Sequence, residues 1–164
     1  MDNGEFHTVR GYQLLEQNKK LLTSAMEDYL EMISRNSLKE GYLRINRLAD
    51  LLNVKASSAS KMVQKLGELG LLKYERYGII ILTETGREIG RYLLNRHSII
   101  EKFLKTIGIN ENLLVETELI EHNISSNTLG NIKILNEFFE KKPEMLKMFE
   151  EFKNRYLAKE WNLY

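Results

Sequence analysis

Apolar residues recur along most of the chain at three- and four-residue steps, the period of an amphipathic helix. Met26, Tyr29, Leu30 and Ile33 make the first clear stripe, on a helix predicted from Ser24 and broken by Gly41. Asp28 and Glu31 fall on its opposite side, about 60° apart at roughly 100° per residue. Ile45, Leu48, Ala49 and Leu52 predict a short second helix ending near Asn53. After a tight turn, Ala59, Met62, Val63, Leu66 and Leu69 stripe a third helix, with Ser57 or Ser58 as a suitable N-cap and Gly70 as its stop. Its outward face carries Ser57, Ser60, Lys61, Gln64 and Lys65. The run 71–82 then changes to β-prone residues on both sides of Tyr77-Gly78, which predicts a hairpin. Helix, short helix, turn, polar-faced helix and hairpin is the order of a winged helix-turn-helix.

Beyond the hairpin the helical period returns. Thr83 can cap a long helix reaching about Thr106, with Gly108 as its stop and Ile89, Leu93, Ile100, Phe103, Leu104 and Ile107 as its apolar face. Further helices are predicted near 111–123, 125–140 and 144–160. The expected fold is mostly α: an arm or extra helix over 1–22, a winged helix-turn-helix with a small β-hairpin wing over 23–91, and an all-helical dimerisation domain over 92–164. In that last domain Leu129, Ile132, Ile134, Leu135, Phe138 and Phe139 make a stripe wider than its own helices can cover. A homodimer is therefore expected.

Composition narrows the classes. The chain has 164 residues, 43% hydrophobic and 29% charged, as in an ordinary soluble domain. No apolar run approaches a membrane span, and the N-terminus lacks a basic-then-apolar leader, so the expected location is cytoplasmic. With no Cys, disulfides, thiolate zinc sites and cysteine nucleophiles are excluded. The net charge of +1 hides an asymmetry. Lys55, Lys61, Lys65, Lys73 and Arg76 outweigh Glu68 and Glu75 around the third helix and hairpin, whereas nine Glu face four Lys between Asn110 and Phe152. A basic segment followed by an acidic one suits a polyanion on one surface and a cation on another. On the third helix, Lys61 and Gln64 can reach base edges in a major groove. Lys55, Lys65, Lys73 and Arg76 can neutralise phosphates, and the short Ser57 and Ser58 let the helix end approach one closely. A winged helix that binds protein would carry the same lysines solvated.

The acidic part contains Glu118-Leu119-Ile120-Glu121-His122. On a helix Glu118, Glu121 and His122 share a face, and like charges there repel unless a proton or a cation intervenes. A divalent cation suits carboxylate oxygen and neutral imidazole together. Taken alone, the pentapeptide equally fits a solvated acidic face with a chance histidine. Asp28, Glu31 and His97 extend the set over three predicted helices, all oxygen or imidazole, as Mn²⁺ or Fe²⁺ prefers. His7, near the terminus, is given no role.

From about Ser24 to Glu151 the chain resembles the diphtheria toxin repressor family of bacterial metalloregulators, most closely its small manganese-dependent branch. The resemblance rests on Met26-Glu27-Asp28-Tyr29-Leu30-Glu31, the run Ser57 to Leu66, Leu82-Thr83-Glu84-Thr85-Gly86, Arg96-His97 with Glu101, and Glu118-Leu119-Ile120-Glu121-His122. It implies metal ligands at Asp28, Glu31, His97, Glu118, Glu121 and His122. One ion would be held by Asp28, Glu118, Glu121 and His122, a second by Glu31, His97 and Glu118 with Glu121 contributing to both, and Glu101 would stand behind them. The iron-responsive branch has a methionine where this chain has Asp28 and a cysteine where it has Glu118, so the oxygen set here favours Mn²⁺, with Fe²⁺ the alternative and other divalent ions able to substitute. That branch also carries an SH3-like third domain, which is not expected after residue 160. The function implied is a homodimeric, metal-dependent repressor of metal-uptake genes on a palindromic double-stranded operator. Two rival classes share some features. A metallohydrolase would use the clustered carboxylates, but Glu118 stands where a His-x-x-Glu-His motif needs histidine, and no nucleophile or phosphate loop accompanies it. A metal-independent winged-helix regulator would instead bind an organic ligand. A non-enzyme is expected.

Overall fold

The structure is a computed structural model and describes Gly11, Gln13–Leu15 and residues 22–161, with side chains to Ala158. Most of the expected N-terminal arm, His7 included, lies outside the described residues; Gly11 and Gln13–Leu15 are helical. The chain divides into two compact units, Met1–Arg96 and His97–Tyr164.

In the first unit, α1 spans Ser24–Ser37 and is capped by the Thr23 hydroxyl, which accepts from the Met26 N–H. Its apolar stripe is buried as expected, and Glu31 is buried with it. The chain turns through Gly41 in the left-handed region, forms a two-residue strand β1 (Leu43–Arg44), and enters α2 (Ile45–Leu51). Asn53, also left-handed, leads to α3 (Ala56–Glu68). Here the expected serine cap is not found. Lys55 is the N-cap, extended and without a side-chain cap bond, and its carbonyl accepts from the Ser58 N–H at 2.9 Å. The tight turn at Asn53 brings the chain into the helix early, so Ser57 and Ser58 occupy the first turn rather than its entrance. Ala59, Val63 and Leu66 are fully buried beneath α3.

The wing is a hairpin of β2 (Leu72–Glu75) and β3 (Ile79–Leu82), joined by a 3₁₀ turn at Arg76–Gly78. It gains a third strand: β1 pairs antiparallel with β3, giving the order β1-β3-β2. Two residues are too few to show alternation, so this strand left no period in the sequence. Gly78 is required twice over. Its φ is +74°, and a Cβ there would lie 2.5 Å from Ile45 Cγ2, where the wing turn meets the start of α2. Thr83 caps α4 (Glu84–Thr106) as expected. Its hydroxyl accepts from the Gly86 N–H at 3.1 Å and donates to the Gly70 carbonyl at 2.8 Å, tying the new helix to the end of α3. An ion pair at 2.8 Å between Arg96 of α4 and Glu27 of α1, 69 residues apart, joins the first and last helices of this unit.

The second unit holds the last part of α4, α5 (Leu113–Glu121), α6 (Ser126–Lys141) and α7 (Pro143–Trp161). Pro143 is the first residue of α7, a position where its missing N–H costs nothing. The Ser125 hydroxyl caps α6. Lys153 of α7 donates to the Ile107 carbonyl at the end of α4, and Asn136 of α6 donates to the Ile99 carbonyl. Ile100, Leu104 and Leu129 are buried. Leu114, Leu119, Ile134, Phe138, Met148 and Phe152 are exposed.

Candidate metal centre and nucleic-acid interface

The basic surface belongs to the first unit. Ser57, Ser58, Lys61, Gln64 and Lys65 are exposed on α3, with Lys55 exposed at its entrance. Ser60 behaves differently. It is half-buried, its Oγ is 3.2 Å from the Tyr74 hydroxyl, and it braces the wing against α3. Lys73 and Arg76 are exposed on the wing. Three residues given no role from sequence join this surface. Tyr77 is 90% exposed at the wing tip with φ +63°, an aromatic held outward by the turn. Arg44 lies on β1 opposite Ile79, beside the wing turn, and Arg47 lies one turn into α2. Both arginines are exposed. Arg44 and Arg47 precede Lys55 in the chain, so the local charge between Lys55 and Tyr77 does not include them.

The second unit brings three of the expected ligands together. His97 Nδ1, on α4, is 3.0 Å from Glu121 Oε2, and His122 Nε2 is 3.8 Å from Glu121 Oε1. One carboxylate, in a residue only 2% exposed, thus reaches two imidazoles. Glu121 is the last residue of α5 and His122 its C-cap, so the group sits at a helix C-terminus, where unpaired carbonyls favour positive charge. A buried carboxylate is costly unless a positive charge answers it. Glu118, one turn earlier on α5, is exposed, and Glu101 accepts from Lys105 at 3.0 Å.

The first unit holds the other two expected ligands, both on α1. Asp28 is exposed. Glu31 is buried, and one of its oxygens accepts from Arg35 at 2.6 Å. Between them Tyr29 is buried, which pushes its phenol above the ordinary value and keeps it neutral. Glu27, one residue before Asp28, is the partner of Arg96, and Arg96 directly precedes His97. The donor chemistry fits a divalent ion of the harder kind: carboxylate oxygens and imidazoles, with no sulfur.

A winged helix with a basic recognition helix, joined to a helical unit that carries a buried carboxylate–imidazole group and an apolar outer face, has the parts of a metal-responsive DNA-binding regulator. Two family models match the chain: "Iron dependent repressor, N-terminal DNA binding domain" over residues 21–80, and "Iron dependent repressor, metal binding and dimerisation domain" over 83–150. The chain belongs to the iron-dependent repressor family. Among its relatives, the HTH-type transcriptional regulator MntR of Lysinibacillus sphaericus is 38% identical over 135 residues, covering 82% of this chain and 97% of the relative. MntR of Listeria innocua is 42% identical over 130 residues, covering 79% and 92%. A solved structure described as a manganese-dependent transcriptional repressor in complex with manganese aligns with TM-score 0.61 at 28% identity, covering 69% of this chain and 53% of that one. Family membership makes this a metal-dependent, DNA-binding transcriptional repressor with a dimerisation domain, and not an enzyme. Both rival classes, the hydrolase and the metal-independent regulator, are thereby set aside.

Proposed function

We propose that this chain is a Mn²⁺-responsive repressor of metal-uptake genes that acts in the cytoplasm as a homodimer on a palindromic operator. The observation that carries the reading is Glu121, a buried carboxylate within reach of His97 and His122. In this reading Asp28, Glu31, His97, Glu118, Glu121 and His122 hold a pair of divalent ions, with Glu118 and Glu121 shared and Glu101 behind them. The sulfur-free set favours Mn²⁺, with Fe²⁺ the alternative, and other divalent ions can substitute because site affinity follows the general order of the metals. Bound there, the metal supplies positive charge that four carboxylates otherwise lack.

The residues do the rest. Glu121, His97 and His122 belong to the dimerisation unit, whereas Asp28 and Glu31 belong to the first helix of the DNA-binding unit. Repulsion among the carboxylates disfavours holding them at one site until that charge is balanced. Once it is, the Glu27–Arg96 pair and the packing of α1 within its own unit carry the constraint to α3. Lys61 and Gln64 then read bases, Lys55, Lys65, Lys73 and Arg76 hold phosphates, and Ser57 and Ser58 let the first turn of α3 approach the backbone. In a symmetric dimer the two α3 helices meet half-sites about one helical turn apart, or a multiple of it.

The test is a gel shift on duplexes selected from random sequence in the presence of Mn²⁺. Retarded complex should form with Mn²⁺ and vanish with chelator. A complex that forms equally well in both contradicts the reading.

A further inference from the structure

The first unit has a cavity of mixed polar and apolar lining, away from α3 and the wing turn. It holds about 210 Å³ and lies between the end of α1, the turn at Gly41, the far end of β3 and the opening turns of α4. Its walls carry Ser34 and Ser37 from α1, Arg87 and Arg91 from α4, and the apolar Leu38 and Leu82, and no carboxylate is among the described residues that line it. Ser34 and Ser37 are 3% and 8% exposed. Gly90 makes room for one of them: a Cβ there would lie 2.6 Å from Ser34 Oγ. Arg87 donates one N–H to the Leu82 carbonyl at 2.8 Å, which fixes its guanidinium at the cavity edge with other donors unspent. Arg91 is exposed at the rim.

We propose that this cavity binds a phosphate group. Two guanidinium ions offer positive charge and donors, and each of the two hydroxyls can donate as well. A tetrahedral dianion can accept from several directions at once, whereas a carboxylate presents a single plane of acceptors to a guanidinium fork. The volume admits inorganic phosphate or the phosphoryl end of a small ester. The same chemistry has a second source in this protein, the backbone of bound DNA. Leu82 stands at the end of β3 remote from the wing turn, at the root of the wing.

Two measurements on the full-length protein decide the matter. The first is calorimetric titration with sodium phosphate against sodium chloride at matched ionic strength, for the parent and for Arg91→Ala, whose fold is checked by circular dichroism. The second is operator affinity of the same two proteins with Mn²⁺ across a range of salt. If the cavity takes a free phosphate, the parent binds phosphate, Arg91→Ala weakens that binding about tenfold, and operator affinity is unchanged. If it takes a DNA phosphate, Arg91→Ala weakens operator binding and lowers the salt slope by about one. Phosphate response and operator binding both unmoved by the substitution overturn the proposal.

Discussion

The two units solve the burial problem in opposite ways. In the first, Leu30, Ile33, Leu48, Val63, Leu66, Ile80, Ile89 and Leu93 are fully buried, and the exposed surface of α3 and the wing is polar and basic. In the second, Ile100 and Leu104 are buried, but Leu119, Ile134, Met148 and Phe152 are each more than half exposed. Leaving one large apolar side chain in water forgoes roughly 1.5–3 kcal/mol. Several together on one short helical unit describe an interface. The reading unit is complete as a single copy. The dimerisation unit, in which the same chain also gathers His97, Glu121 and His122, is finished only by a second copy. A change in the first unit should therefore weaken what it touches, whereas a change on the outer face of the second should remove an assembly.

The largest effect should follow from breaking that face. Phe138→Asp with Phe152→Asp should give a monomer by sedimentation and cost operator affinity about two orders of magnitude or more, because two linked reading heads bind far more tightly than one. A variant that stays dimeric would place the interface elsewhere. Next comes the metal group. Glu121→Ala should lower Mn²⁺ affinity by about 10–100-fold in calorimetry while the protein remains dimeric. Unchanged affinity would remove Glu121 from the ligands.

Smaller effects separate the two roles within the reading surface. Lys61→Ala or Gln64→Ala should cost about 1–3 kcal/mol on the selected operator and relax its sequence preference. Lys73→Ala should weaken all duplexes alike and reduce the salt slope by about one. A shift of sequence preference in Lys73→Ala would make the wing a reader. Smallest is Thr83→Ala, which removes the cap of α4 and its bond to Gly70. It should lower unfolding stability by about 1 kcal/mol in denaturant and leave metal affinity unchanged.

What was legible in the sequence was local. The stripe Met26-Tyr29-Leu30-Ile33, the α3 stripe, the turn at Tyr77-Gly78 and the Thr83 cap each involve residues within a few positions of one another, and each appears in the fold. What escaped was set by tertiary structure. Ser57 and Ser58 have good capping chemistry, but the turn at Asn53 delivers Lys55 to the cap position. Glu31 reads as a polar-face residue and is buried. Ser60 faces outward on a helical wheel and is claimed by Tyr74, fourteen residues away. The Glu27–Arg96 pair spans 69 residues, and no spacing announces it. The site was half legible in the same sense. Glu121 and His122 are neighbours in sequence, whereas the approach of His97 to Glu121 depends on how α4 packs against α5. Glu101, expected behind the metal ligands, pairs with Lys105 one turn further along α4.

The central claim is that metal and operator act on one equilibrium. Linkage then requires that each raise the affinity of the other by the same factor. The direct measurement is Mn²⁺ affinity of the dimer, by calorimetry, with and without saturating operator, set beside operator affinity with and without saturating Mn²⁺. The account predicts a tighter Mn²⁺ site on DNA and equal factors from the two cycles. Mn²⁺ affinity that is the same with and without operator would contradict it.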